Sequence, residues 1–272
     1  MSYQPIVPNS GYAGWGFLNR TMASQKAAFV ASAEVQTQEA YFREKIGSIT
    51  SAEDLVADRR LLGVALGAFG LDEDIGNTFF IRKVLEEGSL DGEALANKLS
   101  DKRYLAFTKA FGFGNYSTPR TVISDFADEI IGRYETQQFE IAVGDADGDM
   151  RLALALQRDL PEVAAKDTSV ATKWYTIIGS GSLSSVFQTA LGLPPSIASL
   201  DVDQQVTIYA QKTEAFYGFS DPGQFAEAGA LEKLTRDFFL RSQIDSGGSI
   251  SSGNAALMLL QGAGTSSFSL LL

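Results

Sequence analysis

The sequence predicts an all-α protein, a multi-helix bundle built from two diverged copies of one helical module. Apolar residues recur at helical spacing through most of the chain, and no segment sustains a period-two alternation of β-branched residues. A small-residue signature, an aromatic–glycine signature and a proline followed at equal distance by an arginine occur once in each half. The pairs are Ala65–Gly67 with Ala190–Gly192, Ala110–Phe113 with Ala215–Phe219, and Pro119…Arg133 with Pro222…Arg236.

The composition limits the kinds of function. With 272 residues, 45% of them hydrophobic, the chain is long enough to bury a sizeable core. The net charge of −11 argues against binding nucleic acid or an anionic membrane through a broad basic surface. Cysteine and histidine are absent, which excludes disulfides, Cys/His zinc sites and His-dependent nucleophiles. We therefore expect no cofactor, no metal and no catalytic residues of the common types.

Residues 1–18 are rich in proline, glycine and aromatic residues, and predict an irregular N-terminal arm. Tyr12 and Trp15 within this arm are candidate anchors for a protein partner. No secretory signal and no membrane-spanning run is recognisable, so we expect no membrane insertion. The predicted location is the cytoplasm, or the exterior by a route that does not read a cleavable signal.

The first module is predicted over residues 19–144. Its first helix runs from Asn19 or Thr21 to Ile46. Ser51, followed three residues later by Asp54, resembles a capping box and predicts a helix that Gly70 closes.

Further start and stop signals follow within this module. Acidic residues 72–74 precede a helix that stops at Gly88, and Asp91 caps a short helix over Glu93 to Leu99. Ser100 or Asp101 starts the next helix, which stops at Gly112. The segment Phe79–Leu99 has no match in the second half, and is interpreted as an inserted helix pair whose aromatic residues are core.

A long helix is predicted to start at Thr118-Pro119, with the proline in the first turn, and to reach Val143 before Gly144 interrupts it. The second module then occupies residues 145–245. Its predicted helices cover residues 150–156, with a perturbation at Leu160-Pro161, then 170–178, 183–191, 202–216 and 222–244.

Residues 246–272 are predicted to be a Gly/Ser linker and an apolar tail. The tail carries no charged side chain from Asn254 onward, and a free apolar segment is unfavourable in water. We expect it to dock on its own domain or on a partner. Its candidate partner-binding residues are Leu257, Met258, Leu259, Leu260 and Phe268.

Two motifs hint at ligand chemistry. Asp145–Asp149 resembles the start of a calcium loop, but Met150 stands where glycine is needed and Leu156 where a bidentate glutamate is needed. Gly179–Ser184 resembles a phosphate loop, but lacks the lysine and follows a helix. Both are better interpreted as helix–helix turns with capping side chains.

Three segments, Ile46–Leu71, Phe80–Gly88 and Leu99–Phe113, resemble DUF1217, an alphaproteobacterial family of unknown function. The resemblance covers about residues 40–140, and larger members of the family carry repeated copies. Members often lie near flagellar genes, so the resemblance implies an association with motility and a flagellar-type export route. It implies no catalytic residue.

Three functions follow as hypotheses. The favoured one is a non-enzymatic structural or protein-interaction protein, an accessory or exported component of the bacterial flagellar system. The alternative is a cytoplasmic binding module or export chaperone that holds a partner helix. The third is an enzyme that uses Asp, Glu and Tyr in a cleft between the copies.

Overall fold

The computed structural model describes residues 3–246 of the chain. These residues form thirteen α-helices joined by turns and short 3-10 helices, and they form no strand. The all-α prediction is confirmed. The helices are α1 Gly11–Val30, α2 Ala33–Lys45, α3 Ala52–Ala57, α4 Arg59–Gly67, α5 Thr78–Glu87, α6 Leu95–Lys98, α7 Lys102–Phe111, α8 Phe126–Ala146, α9 Gly148–Ala165, α10 Val170–Gly179, α11 Gly181–Leu191, α12 Val202–Tyr217 and α13 Ala228–Asp245.

The N-terminal region is more ordered than predicted. Only residues 3–10 are non-helical, and the side chain of Gln25 holds them by accepting from the N–H of Ile6 at 2.6 Å and donating to its carbonyl at 3.1 Å. The prediction of irregular backbone to residue 18 is wrong because α1 starts at Gly11 and packs along α13. A single helix to Ile46 is also wrong, since the chain turns at Ala31-Ser32 between α1 and α2.

Aspartate caps divide the chain more finely than the apolar pattern suggests. Ser51 accepts from the N–H of Asp54 at 3.1 Å, as predicted. Asp58 then adopts an extended conformation, ends α3 and caps α4 through the N–H groups of Arg60 and Leu61. One predicted helix is therefore two short ones. Two later signals are confirmed, because Asp101 caps α7 and Gly112 ends it in the left-handed conformation.

The two prolines start short 3-10 turns instead of the long helices. Pro119 precedes the turn Arg120–Val122, and α8 starts only at Phe126. Pro222 opens the turn Pro222–Ala226, and α13 follows at Ala228. The predicted interruptions at Gly144 and at Leu160-Pro161 are wrong: α8 continues to Ala146, and α9 runs through Pro161.

Two hydrophobic cores share helix α8. The first is built by α2 to α5, by α7, and by Phe126, Ile130 and Ile131 of α8. The second is built by α1, by Val35 of α2, by α9 to α13, and by Phe139 and Val143 of α8. The predicted boundary at residue 144 thus lies inside a helix, and α1 packs in the core of the second half.

No helix within residues 3–246 is both long and apolar enough to cross a bilayer. The predicted linker and tail, from residue 247 onward, lie outside the described residues.

Candidate protein-interaction surface

Helix α5 packs on the first core, and α6 packs against α5 and α7. Ile81 and Leu85 of α5 are fully buried there. Gly88 ends α5 with φ +71°, where a side chain would collide with the backbone of Gly114. Asn115 then accepts from the N–H of Ser89 at 2.7 Å and donates to its hydroxyl at 3.0 Å. The backbone on both sides of the α5–α6 connection is therefore fixed by hydrogen bonds.

The outer side of this segment carries two exposed apolar side chains. Phe79, in the first turn of α5, is 81% exposed, and Leu90, after Gly88, is 71% exposed. No other large apolar side chain in residues 3–246 is as exposed as either. Phe79 lies on the first turn of α5, and Leu90 lies two residues after Gly88, where the chain has left the helix.

Charged side chains surround these two residues. Arg82 pairs with Glu86 at 2.6 Å and with Glu53 at 3.0 Å, and Lys83 pairs with Glu87 at 3.7 Å. Exposed ion pairs of this kind contribute little to folding stability. An apolar centre with a polar rim is the usual anatomy of a protein–protein interface. We name Phe79, Leu90, Arg82, Lys83, Glu86 and Glu87 the α5–α6 surface.

Sequence reasoning missed this surface because it assigned the aromatic residues of the segment to the core. The helical spacing of the apolar residues does distinguish an exposed phenylalanine from a buried one in this segment. Phe80, Ile81, Val84 and Leu85 form one stripe, and Phe79 stands outside it. Phe80 faces inward and meets the ring of Tyr104 edge-on at 5.2 Å. Of two adjacent phenylalanines on a helix, only one can follow the buried stripe.

The structure places the predicted N-terminal anchors elsewhere. Trp15 is 6% exposed, with its ring 5.9 Å from that of Phe239, so it is a core residue and the prediction of a free partner anchor is wrong. Tyr12 is half-buried beside the same ring, and its hydroxyl lies 3.4 Å from the carboxylate of Glu232. The remaining predicted anchors, Leu257, Met258, Leu259, Leu260 and Phe268, lie outside the described residues.

The two motifs with ligand-like patterns form caps. Asp147 accepts from the N–H groups of Asp149 and Met150 at 2.9 and 3.2 Å, and starts α9. Asp149 accepts from the hydroxyl of Ser242. Ser180 caps α11. Over residues 3–246 no group of three potential metal-ligating side chains converges.

Buried charge is used to join helices. Arg158 of α9 donates to both Glu140 of α8 and Asp159. Burial raises the pKa of Glu140, and Arg158 partly offsets that effect. Burial alone would lower the pKa of Arg158, but the carboxylates of Asp159 and Glu140 outweigh it and raise that pKa. This closed network holds α8 against α9.

Glu39 of α2 is a buried acid that the sequence did not single out. Its side chain is 5% exposed, and Oε1 has no hydrogen-bond donor within residues 3–246. Burial and the adjacent Glu135 of α8 raise its pKa to about 7, against a smaller lowering by Arg43. The direction of this shift favours the protonated form of Glu39, which can donate to Glu135.

Comparisons with known proteins identify relatives without assigned activities. The family described as "Protein of unknown function (DUF1217)" matches residues 68–225, which include α5, α6 and most of the second half. The match starts later and extends further than the predicted 40–140. The crystal structure of protein AGR_C_984 from Agrobacterium tumefaciens is similar with a TM-score of 0.67 and 29% identity, over 86% of this chain and 97% of that one. No curated protein matches significantly.

Proposed function

We propose a non-enzymatic, protein-binding function for this chain, which belongs to the DUF1217 family of proteins of unknown function. The α5–α6 surface is the proposed binding site. The observation that carries the proposal is the pairing of Phe79 and Leu90, 81% and 71% exposed, on a segment whose backbone is fixed.

The energetics favour a partner at this surface. Full burial of a Phe or Leu side chain contributes about 1.5–3 kcal/mol, so covering both residues supplies several kcal/mol. A rigid segment loses little conformational freedom when it binds, which leaves more of that free energy for affinity. Two exposed apolar side chains with charged neighbours suit the apolar face of an amphipathic partner helix.

We also propose that the fold arose from two copies of one module. An aromatic trio supports this idea. In the first half Phe111 lies 5.7 Å from Phe113 and 5.1 Å from Phe126, ring to ring. In the second half Tyr217 lies 6.1 Å from Phe219 and 5.4 Å from Phe225. In each trio the first two rings flank a left-handed glycine, Gly112 or Gly218, at the end of a helix.

The order of elements agrees with this duplication. Two consecutive capped helices, α3 and α4 or α10 and α11, are followed by a 3-10 turn in each half. The first half then has three helices, α5 to α7, where the second has α12 alone. The α5–α6 surface therefore belongs to the part that only one copy carries, and we expect one partner site per chain.

Photo-crosslinking in the native cell tests the binding site. A photoreactive amino acid at position 79 is compared with one at position 202, because Val202 is also exposed, at 44%, but lies in the second half. We expect a discrete adduct from position 79 alone, lost when Leu90→Asp is added to the folded protein. Equal adducts from both positions, or an adduct that Leu90→Asp leaves unchanged, would contradict the proposal.

The proposed setting is the bacterial flagellar system, as an accessory or exported component, on the strength of the family resemblance. A deletion strain should swim poorly or assemble altered flagella, and the wild-type gene should restore both. The variant Phe79→Asp should restore neither. Normal swimming and normal flagellar ultrastructure in the deletion strain would exclude the flagellar role. The crosslinking result would still test the binding site.

A further inference from the structure

A shallow groove of about 590 Å³ lies where the C-terminal half of α1, the start of α2 and α8 meet. Ala23, Ala27, Val30 and Ala31 supply its apolar lining. Lys26, also in the lining, donates to the hydroxyl of Thr136 at 2.7 Å, so its ammonium group is engaged at the rim. The three alanines are exposed.

The α2 end of the groove also accepts a polar group. Gln36 and Glu135 line it there, and both are neighbours of Glu39. The amide of Gln36 and the carboxylate of Glu135 therefore place polar groups beside the apolar side chains at this end of the groove.

The C-terminal segment of the chain has matching chemistry. Ala255–Leu260 reads Ala-Ala-Leu-Met-Leu-Leu, with the amide donors Asn254 and Gln261 on either side. It carries no charge, so it meets no repulsion from a protein of net charge −11. Apolar surface of this kind gains free energy when it leaves water.

The C-terminal end of α13 lies close enough to the groove for the following segment to reach it. A side chain added at Gly11 would collide with Gln243, and Trp15 stacks near Phe239, so α13 runs antiparallel to α1 and ends beside its start. The groove lies roughly 18–30 Å further along α1, at 1.5 Å per residue. The residues from 246 to 255–260 span up to roughly 30–48 Å when extended.

We propose that the segment Ala255–Leu260 docks in the groove of its own chain, against Ala23, Ala27 and Val30. This inference is independent of the α5–α6 surface. It assigns the groove to a segment of the same polypeptide instead of to a second copy or another protein.

Thiol labelling of the full chain tests the proposal, since the native sequence has no cysteine. Ala27→Cys places one thiol in the groove. Ala28→Cys is the matched control, an exposed position next to it on the same helix that does not line the groove. The reaction rate of each thiol is measured with the native segment and with Leu257→Asp plus Leu259→Asp.

We expect the thiol at position 27 to react at least about tenfold slower with the native segment than with the double substitution. The thiol at position 28 should react at the same rate in both backgrounds. Equal rates at position 27 overturn the proposal. Protection that appears only as the protein concentration rises also overturns it, because the segment then comes from a second copy.

Discussion

The buried acid Glu39 makes stability depend on pH in a direction opposite to that of a salt-bridged carboxylate. Its pKa rises from 4.5 in the unfolded chain to about 7 in the folded one. Between these values the folded state holds a proton that the unfolded state has lost, so the free energy of unfolding falls as the pH rises. Below pH 4.5 both states are protonated and the effect is absent.

The magnitude follows from the shift. One pKa unit corresponds to about 1.36 kcal/mol, so a shift from 4.5 to about 7 gives about 3 kcal/mol for a fully shielded group. Arg43, half exposed, and Glu135 bring solvent close to the carboxylate, and we expect about 1–2 kcal/mol after screening.

The variant Glu39→Gln isolates this contribution, because an amide stays neutral and can donate to Glu135 as the protonated acid does. Urea unfolding followed by tryptophan fluorescence gives the free energy of unfolding at pH 4 and at pH 8.5. We expect the variant to match the wild type at pH 4 and to exceed it by about 1–2 kcal/mol at pH 8.5. The control Glu34→Gln changes an exposed residue on the same helix and should show no such pH dependence.

A constant difference between Glu39→Gln and the wild type across the whole pH range would refute the reasoning. It would mean that the side chain of Glu39 titrates alike in the folded and unfolded chain. A variant less stable at pH 8.5 would show that the ionised form is the favoured one.

Two further predictions concern the N-terminal helix and the α5–α6 connection. Trp15→Ala should lower the free energy of unfolding by about 3–5 kcal/mol, because it removes a core ring against Phe239; a change below about 1 kcal/mol in urea unfolding would instead support a free arm. Gly88→Ala should destabilise the protein by at least about 1 kcal/mol, since the residue has φ +71° and no space beside Gly114. Gly76→Ala, where a side chain meets open space, is its control, and equal thermal midpoints for the two variants would contradict that account.

Local signals in the sequence located many helix ends. Ser51 and Asp101 accept from first-turn N–H groups, and Gly112 stops α7 in the left-handed conformation. Such signals depend on a few neighbouring residues, so the sequence contains all that is needed to read them.

Other features depend on packing that the sequence does not display. Pro119 has the chemistry of a first-turn residue, yet α8 begins only at Phe126, whose ring packs edge-on against Phe111. Trp15 lies in a stretch with glycines, but α13 offers it a partner in space. Tertiary contacts outweigh local preference in both places.

The candidate site was predictable only in part. Helical spacing sets Phe79 apart from the buried stripe of α5, but the exposure of Leu90 depends on how the chain leaves Gly88. The raised pKa of Glu39 depends on Glu135, which lies on a distant helix.

The sharing of α8 between the two cores has a mechanical consequence. Its 21 residues form a rod about 30 Å long, with one end embedded in each half. A displacement at one half therefore carries to the other through a stiff element instead of a flexible hinge. Removing either half would expose apolar surface of α8 to water. The chain should therefore unfold in one cooperative transition, and neither half should fold as an independent domain.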